Sequence, residues 1–456
     1  MRAKTILVAV ATSLSLLSIS TQAAVTPDQA SQLGKTLTPL GAERAGNASG
    51  TIPEWTGGLT KPPADYKGPG SHHVDPFPSD KPLFTITKAN VEQYKNNLTP
   101  GLIALINANP ETFNIPIYQT RRTGAAPQSV YDNTLKNATT ATLVADGNGF
   151  EHAYGGTPFP IPQNGVEALW NHIARYRGTY VVRRYSAAAV QRGGAYSLSS
   201  TQQEALFNFY DPNTTAETLN NILLYYTDLT LSPARQAGGS VLVHETLNQV
   251  SEPRQAWSYN SGQRRVRRAP GVAYDTPTDV SDGLRTVDDT DMFNGAPDRY
   301  DWKLLGKKEI YIPYNNYKIS SEMTKYKDLL QPEQLNPAYT RFELHRVWVV
   351  EGTLKAGARH IYAKRTLYLD EDSWQAALID QYDGRGELWR VSVAYLKNYY
   401  ELPTTWVAAE VNYDLQARRY FATQMDSEEP RAVDFSQPTP DISYFKPAAL
   451  RRRGVR

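Results

Sequence analysis

Cysteine is absent from all 456 residues. That absence excludes disulfides, thiol catalysis, thiolate metal sites and the amino-terminal lipidated cysteine of a bacterial lipoprotein. Long apolar runs are missing too: nothing after the first residues approaches the roughly 18 that a membrane span needs, so a membrane-spanning chain is not expected. Charge of one sign is not in excess, with 48 Lys plus Arg against 46 Asp plus Glu. Setting aside Arg2 and Lys4 leaves a neutral chain, which gives no basis for nucleic-acid binding. Histidine is scarce, seven in all, and His72, His73 and Asp75 in a Pro/Gly-rich stretch do not form a specific metal spacing. Gly147 with Gly149, and Gly384 with Gly386, lack the third glycine and the following helix of a phosphate loop. No Gly-x-Ser-x-Gly elbow occurs. His244 and Glu245 begin a zincin-like pattern that fails at Asn248, where a second histidine is required. No catalytic residue and no cofactor are therefore assigned.

What is present begins with a leader. Arg2 and Lys4 precede an apolar stretch from Ile6 to Ile19, and Thr21, Gln22 and Ala23 form a small-residue cleavage site. Residues 1–23 are read as a signal peptide, which places the mature, non-lipidated protein in the periplasm of a Gram-negative bacterium.

Residues 24–165, rich in Pro, Gly, Asn and Thr, read as an irregular wrapping region. Short helices are expected at Pro27–Leu33, Lys88–Asn96 and Pro100–Ile106, the last with Thr99 as N-cap and proline in the first turn. In residues 166–425 a helix at Val166–Tyr176 places Val166, Leu169, Trp170 and Ile173 on one face. The period then falls to two. Strands are expected at Thr179–Tyr185, Ala195–Ser200, Ala205–Tyr210, Ile222–Leu231, Ser240–Leu247, Gln255–Tyr259 and Arg264–Arg268. More are expected at Glu309–Ile312, Phe342–Gly352, His360–Asp370, Gln375–Tyr382, Leu388–Tyr399, Thr405–Asp414 and Arg418–Thr423. Turn residues such as Asn260–Gly262 and Asp383–Gly386 join neighbours as hairpins, which argues against a doubly wound parallel fold. The fold class is α+β, mainly antiparallel β. So many strands must curl, split or close, and a half-open barrel around a few helices is expected. Residues 426–456 read as a C-terminal tail, of which Ala448 to Arg456, ending in Arg451, Arg452, Arg453 and Arg456, is expected to be mobile.

The aromatic content is skewed, with 29 Tyr and 8 Trp against 12 Phe. Rings with a polar handle suit a partly wet cavity wall, or simply exposed sheet faces with nothing bound. The wall candidates are Tyr225, Trp257, Trp348, Tyr362, Trp374 and Trp389. Arg264, Arg265, Arg267 and Arg268 form a patch for an acidic partner or lipid headgroups; the competing reading is a charged edge strand that discourages aggregation. Asp289, Asp291 and Asn294 make a calcium candidate one residue out of EF-hand spacing. The preferred reading there is turn capping and pairing with Arg299, Lys303 or Lys307. Asp370, Glu371 and Asp372 read as a hairpin turn rather than a glycosidase pair.

Several segments together resemble one family. They are Leu37 to Glu43, Gly50 to Gly58 (GTIPEWTGG), Gly156 to Pro162, Trp257 to Arg268, Asp291 to Trp302 (DMFNGAPDRYDW), Tyr311 to Asn316 (YIPYNN) and Asp370 to Val391. On these the chain is identified as a member of the bacterial domain of unknown function 1329 family. That family is similar in fold to the LolA/LolB-type carriers of outer-membrane lipoprotein sorting, which implies an incomplete barrel with a greasy cavity. The resemblance implies a non-enzymatic carrier, receptor or accessory protein for a hydrophobic small molecule or lipid, alongside an envelope transporter or outer-membrane partner. It supplies no catalytic residue. The alternative is a docking or assembly factor without a small ligand, which a fully packed interior would favour over an open apolar cavity. A hydrolase is the least favoured reading.

Overall fold

In the computed structural model, which describes residues 25–269 and 274–453, the period-two stretches become one large sheet. The leader Met1–Ala23, Pro270 and Arg456 lie outside the described residues. The wrapping region contributes β1 (Phe84–Ile86), β2 (Ile115–Ile117) and a small hairpin of β3 (Thr142–Val144) with β4 (Gly149–Glu151). Among them lie α1 (Pro27–Ala30), α2 (Val91–Tyr94), α3 (Pro100–Ala108) and α4 (Gln128–Thr140). After α5 (Gly165–Ile173) a run of hairpins gives β5 (Tyr180–Val190), β6 (Leu198–Leu206), β7 (Ile222–Ser232), β8 (Ser240–Thr246), β9 (Gln255–Asn260) and β10 (Arg265–Arg268). The long β11 (Tyr300–Pro313) and the single turn α6 (Tyr326–Leu329) follow. The second run is β12 (Phe342–Leu354), β13 (Lys364–Asp370), β14 (Ala376–Tyr382), β15 (Leu388–Tyr399), β16 (Thr404–Asp414) and β17 (Arg419–Met425), and α7 (Pro447–Arg453) comes last.

Fifteen strands join in the order β1-β2-β12-β13-β14-β15-β16-β17-β5-β6-β7-β8-β9-β10, with β11 on β12. Every pairing is antiparallel except a single parallel contact of Phe342 with Ile117. The second run of hairpins is thus inserted ahead of the first, and β17 meets β5 through Tyr420 and Val190. The sheet curls without closing into a barrel, as accumulated twist requires of so many strands. No helix among the described residues is long and apolar enough to cross a membrane.

Local chemistry explains the helices that hold the sheet. The Thr99 hydroxyl accepts the Leu102 amide at 3.1 Å and Pro100 opens α3, satisfying one donor and omitting another that the first turn would leave orphaned. Asn164 caps α5 in the same way. Gly165 is required where α5 starts, because a Cβ there would lie 2.8 Å from the backbone of Lys303.

Three expectations are corrected. Ala205–Tyr210 is not a strand of its own: β6 already runs to Leu206, and Asn208–Tyr210 turns as a 3-10 helix. The strand expected only at Glu309–Ile312 starts at Tyr300; Gly306, at φ +95°, sits at a register shift that breaks the alternation on which the reading depended. The described part of the stretch expected to be mobile is docked, since α7 packs on β8, β9 and β10 and Leu450 is fully buried, as is Phe445 just before it. Helix α4 was not anticipated: its buried residues are Val130, Thr134, Asn137 and Ala138, so two of the four marking its inner face are polar.

Apolar side chains of β11–β17, α3, α5 and the wrap make one continuous core. On β5–β10 a second cluster is separate: Tyr180, Leu206, Leu242 and Tyr259, with Tyr225, Trp257 and Val266 beside them. Its cover is the carboxy-terminal segment, through Tyr444, Phe445 and Leu450.

Candidate functional site

The six aromatic candidates do not form one wall; they fall into three pairs. Tyr225 on β7 and Trp257 on β9 are half-buried on the face of the sheet that carries the second cluster. His244 stands between them, 4.9 Å from the Tyr225 ring and 4.8 Å from Trp257. Phe445 stacks on Tyr225 at 5.7 Å, and its carbonyl lies 2.7 Å from His244 Nε2.

The second pair is Trp348 on β12 and Trp374 in the β13–β14 turn, stacked at 6.1 Å and nearly parallel. Trp374 is fully buried and donates its indole N–H to the Leu40 carbonyl at 2.8 Å, while Lys307 Nζ sits 4.7 Å over Trp348. Tyr362 and Trp389 are the third, 5.8 Å apart. The Tyr362 hydroxyl donates to Asp289 (3.0 Å) and receives Arg390 Nη1 (3.1 Å), and Trp389 Nε1 donates to Asp414. The first pair is thus covered by the segment Tyr444 to Leu450, while the other two pack against the body of the protein, with Trp348 and Trp389 half-buried.

Arg265, Arg267 and Arg268 lie on β10, the last strand at one end of the sheet, and Arg264 is in the turn before it. All four are exposed, and none has an ion-pair partner among the described residues. Alternation puts Val266 and Arg268 on the face of the second cluster and Arg265 and Arg267 on the other.

The calcium candidate is dispersed. Asp289 accepts from Gln381 (2.8 Å) and Tyr362, and Asp291 from Arg175 (2.6 Å), Arg177 and Trp406 (3.0 Å). Asn294 donates to Glu245. Burial opposes the charge on Asp291, yet Arg175 and Arg177 hold its carboxyl well below the usual range. The cations differ from those expected: Arg299 faces Asp275 at 4.0 Å, and Lys307 bridges Glu43 and Glu371.

One buried cluster was not visible in the sequence. Arg122, from the wrap, grips Asp372 through Nε (2.9 Å) and Nη2 (2.7 Å) and donates to the carbonyls of Glu43, Arg44 and Pro53. Beside it Asp370 accepts from Ser373 (2.5 Å) and Tyr314 (3.2 Å), and His345 lies 3.1 Å from Glu343 with the Tyr314 ring stacked on it. Burial and the neighbouring Asp372 carboxylate push Asp370 up to about 7. His345, Asp370 and Asp372 bring one ligand atom each within 4.8 Å of one another. The Arg122 guanidinium already supplies the positive charge to Asp372, and the arrangement works as an ionic clamp between the wrap and the sheet. Its partners lie about 250 residues apart in sequence, so no local pattern signals it.

The family described as "Protein of unknown function (DUF1329)" matches residues 85–451. "Uncharacterized protein PA3922" of Pseudomonas aeruginosa is 52% identical over 447 residues, 97% of each chain. Among solved structures, a putative outer membrane lipoprotein-sorting protein domain from Vibrio parahaemolyticus overlaps 63% of this chain and 98% of its own, at 14% identity and a TM-score of 0.44. A DUF1329 family protein from Desulfovibrio piger overlaps 60% and 92%, at 14% and 0.40. The LolA superfamily protein NE2245 from Nitrosomonas europaea overlaps 62% and 97%, at 12% and 0.38.

Proposed function

Since the chain belongs to DUF1329, a protein family of unknown function, we propose its role from its own geometry: a non-enzymatic envelope protein, exported by the Met1–Ala23 leader, that binds and carries a hydrophobic molecule such as an acyl chain or lipid. The observation that carries this reading is the second apolar cluster. Tyr180, Leu206, Tyr225, Leu242, Trp257 and Tyr259 form an apolar floor on β5–β9 whose cover is the short segment Tyr444 to Leu450, with two fully buried anchors, Phe445 and Leu450. Burying two such side chains is worth about 3–6 kcal/mol, before the cost of ordering the segment is subtracted. A cover held that weakly belongs to the low-stability end of the native ensemble. An acyl chain offers the floor the same contacts as Phe445 and Leu450, and so can take their place.

The test is a titration of the mature protein with a long-chain fatty acid, followed by tryptophan emission in wild type and in Trp257→Phe. Saturable quenching or a spectral shift that vanishes in the variant supports the site. No saturable change, or one that is independent of Trp257, contradicts it.

A docking or assembly factor is the second reading, favoured by a specific observation. Tyr362 and Trp374 are fully buried against the chain itself. Two surface clefts offer only about 10 Å³ each, room for about one water molecule, and their linings mix charged with apolar side chains: Asp75, Asp80 and Arg341 with Phe77 and Tyr118 in one, Asn109, Glu333 and Arg418 with Leu105 and Leu415 in the other. Neither includes any of the six aromatic candidates. An envelope partner bound at full affinity by an acyl-free protein would favour this reading.

A further inference from the structure

We propose that the β10 end of the sheet, together with α7, is a docking surface for anionic phospholipid headgroups. This deepens the carrier reading, and rests on it for the purpose of the contact, by naming the kind of surface at which a hydrophobic cargo is exchanged.

Three observations meet there. First, α7 packs on β8, β9 and β10, which brings Arg451 and Arg452 to the same end as Arg264, Arg265, Arg267 and Arg268. All six are exposed, and none has an ion-pair partner among the described residues. Second, the clustering sets this end apart: Arg122, Arg175, Arg341, Arg346, Arg365 and Arg390 are each matched to a carboxylate, and the exposed arginines without an ion-pair partner elsewhere among the described residues, such as Arg192, Arg235 and Arg359, stand apart from one another in sequence. In a chain that is neutral beyond its leader, positive charge without counter-charge has been gathered at one end. Third, half-exposed aromatic rings lie beside it: Trp257 is paired opposite Arg268, and Tyr444 packs against Phe445 at 5.3 Å. Guanidinium forks bind phosphate oxygens bidentately, and Trp and Tyr settle at the headgroup level of a bilayer.

A lipid surface fits better than an added acidic strand. β10 is only four residues long and Pro270, which has no donor, follows two residues later, so the edge offers few ladder bonds. The arginines also stand on both faces of the edge and on a neighbouring helix, a spread that many separate headgroups can meet and one extended peptide cannot.

The experiment is co-sedimentation of the mature, full-chain protein with vesicles of phosphatidylcholine alone and of phosphatidylcholine mixed with phosphatidylglycerol, at low and high salt. Binding should be confined to the anionic vesicles and fall steeply with salt. The double charge reversal R265E/R267E, on the face away from the apolar floor, and, independently, R451E/R452E should each lower it at least tenfold with melting temperature and fatty-acid affinity unchanged. Equal partition onto both vesicle types, no binding to either, or binding that survives both reversals would overturn the proposal. The two variants carry separate halves of the patch, so a folding failure in one leaves the other decisive. Fatty-acid titration on the same samples keeps the failure of the docking surface distinct from that of the ligand site.

Discussion

At the scale of single residues, the strongest constraints are buried charges that tie distant parts of the chain together. Arg122 is buried, holds Asp372 with two hydrogen bonds and carries three carbonyls of the wrap. Arg122→Met removes one partner and leaves the other carboxylate unpaired, so urea unfolding should show a loss of about 3–5 kcal/mol. Asp380 is a different case. It is fully buried beneath α3, accepts from Tyr368 (3.2 Å) and Thr99 (3.4 Å) and has no guanidinium partner; burial pushes it up to about 7. Because its folded value stands above its unfolded one, the folded state binds the extra proton, and the stability this contributes is lost as pH rises from about 4 to 7. Asp380→Asn does not titrate, so its melting temperature relative to wild type should climb across that window and be highest above pH 7. A flat difference between pH 4 and 8 would show that Asp380 is ionised throughout. Neither residue announces itself in the sequence. Arg122 sits in an irregular stretch, and Asp380 is one acidic residue in a mostly apolar strand, beside Gln381, whose role depends on a helix cap about 280 residues earlier.

At the scale of elements, legibility followed period and end chemistry. Leu388–Tyr399 was read to the residue, and Thr404–Asp414 to within one, because twelve and eleven continuous residues of strand leave little ambiguity. The cap at Thr99 was readable because the side chain and the proline act locally. Tyr300 to Leu304 is not legible because Gly306 shifts the register of β11, and the docking of Ala448 onward is not legible because four closing arginines mask the single apolar anchor Leu450. The anchors Phe445 and Leu450 also set an element-scale prediction. Phe445→Ala deletes the ring that stacks on Tyr225, at a typical cost of about 3–5 kcal/mol for a buried Phe. The cluster it belongs to is separate from the main core, so the loss should fall on the docked segment. Limited proteolysis should cut within 435–446 many times faster than in wild type, while the main thermal transition hardly moves. A main transition that drops in parallel would mean that the segment unfolds only with the whole.

For the molecule as a whole, the antiparallel, curled sheet followed from hairpins without intervening helices, as sequence periodicity indicated. Strand order did not. Placing β12–β17 between β2 and β5 takes long-range pairing, such as Tyr420 with Val190, that periodicity does not encode. The same limit acted on the aromatic candidates: alternation identified rings on strands but could not say that they would sort into three places, of which Tyr225 and Trp257 lie under the carboxy-terminal segment. The account therefore rests on one end of the sheet, where an apolar floor, a terminal cover and unpaired arginines adjoin.

The most direct measurement is native mass spectrometry of the mature protein purified from a bacterial periplasm without detergent, with organic extraction of what stays bound, on wild type and Phe445→Ala. The account predicts a stoichiometric lipid or other apolar molecule, at higher occupancy in the variant, whose cover is weakened. An apo mass in both, with no gain on offering fatty acids or phospholipids, would contradict it and leave docking to a protein partner as the role of this molecule.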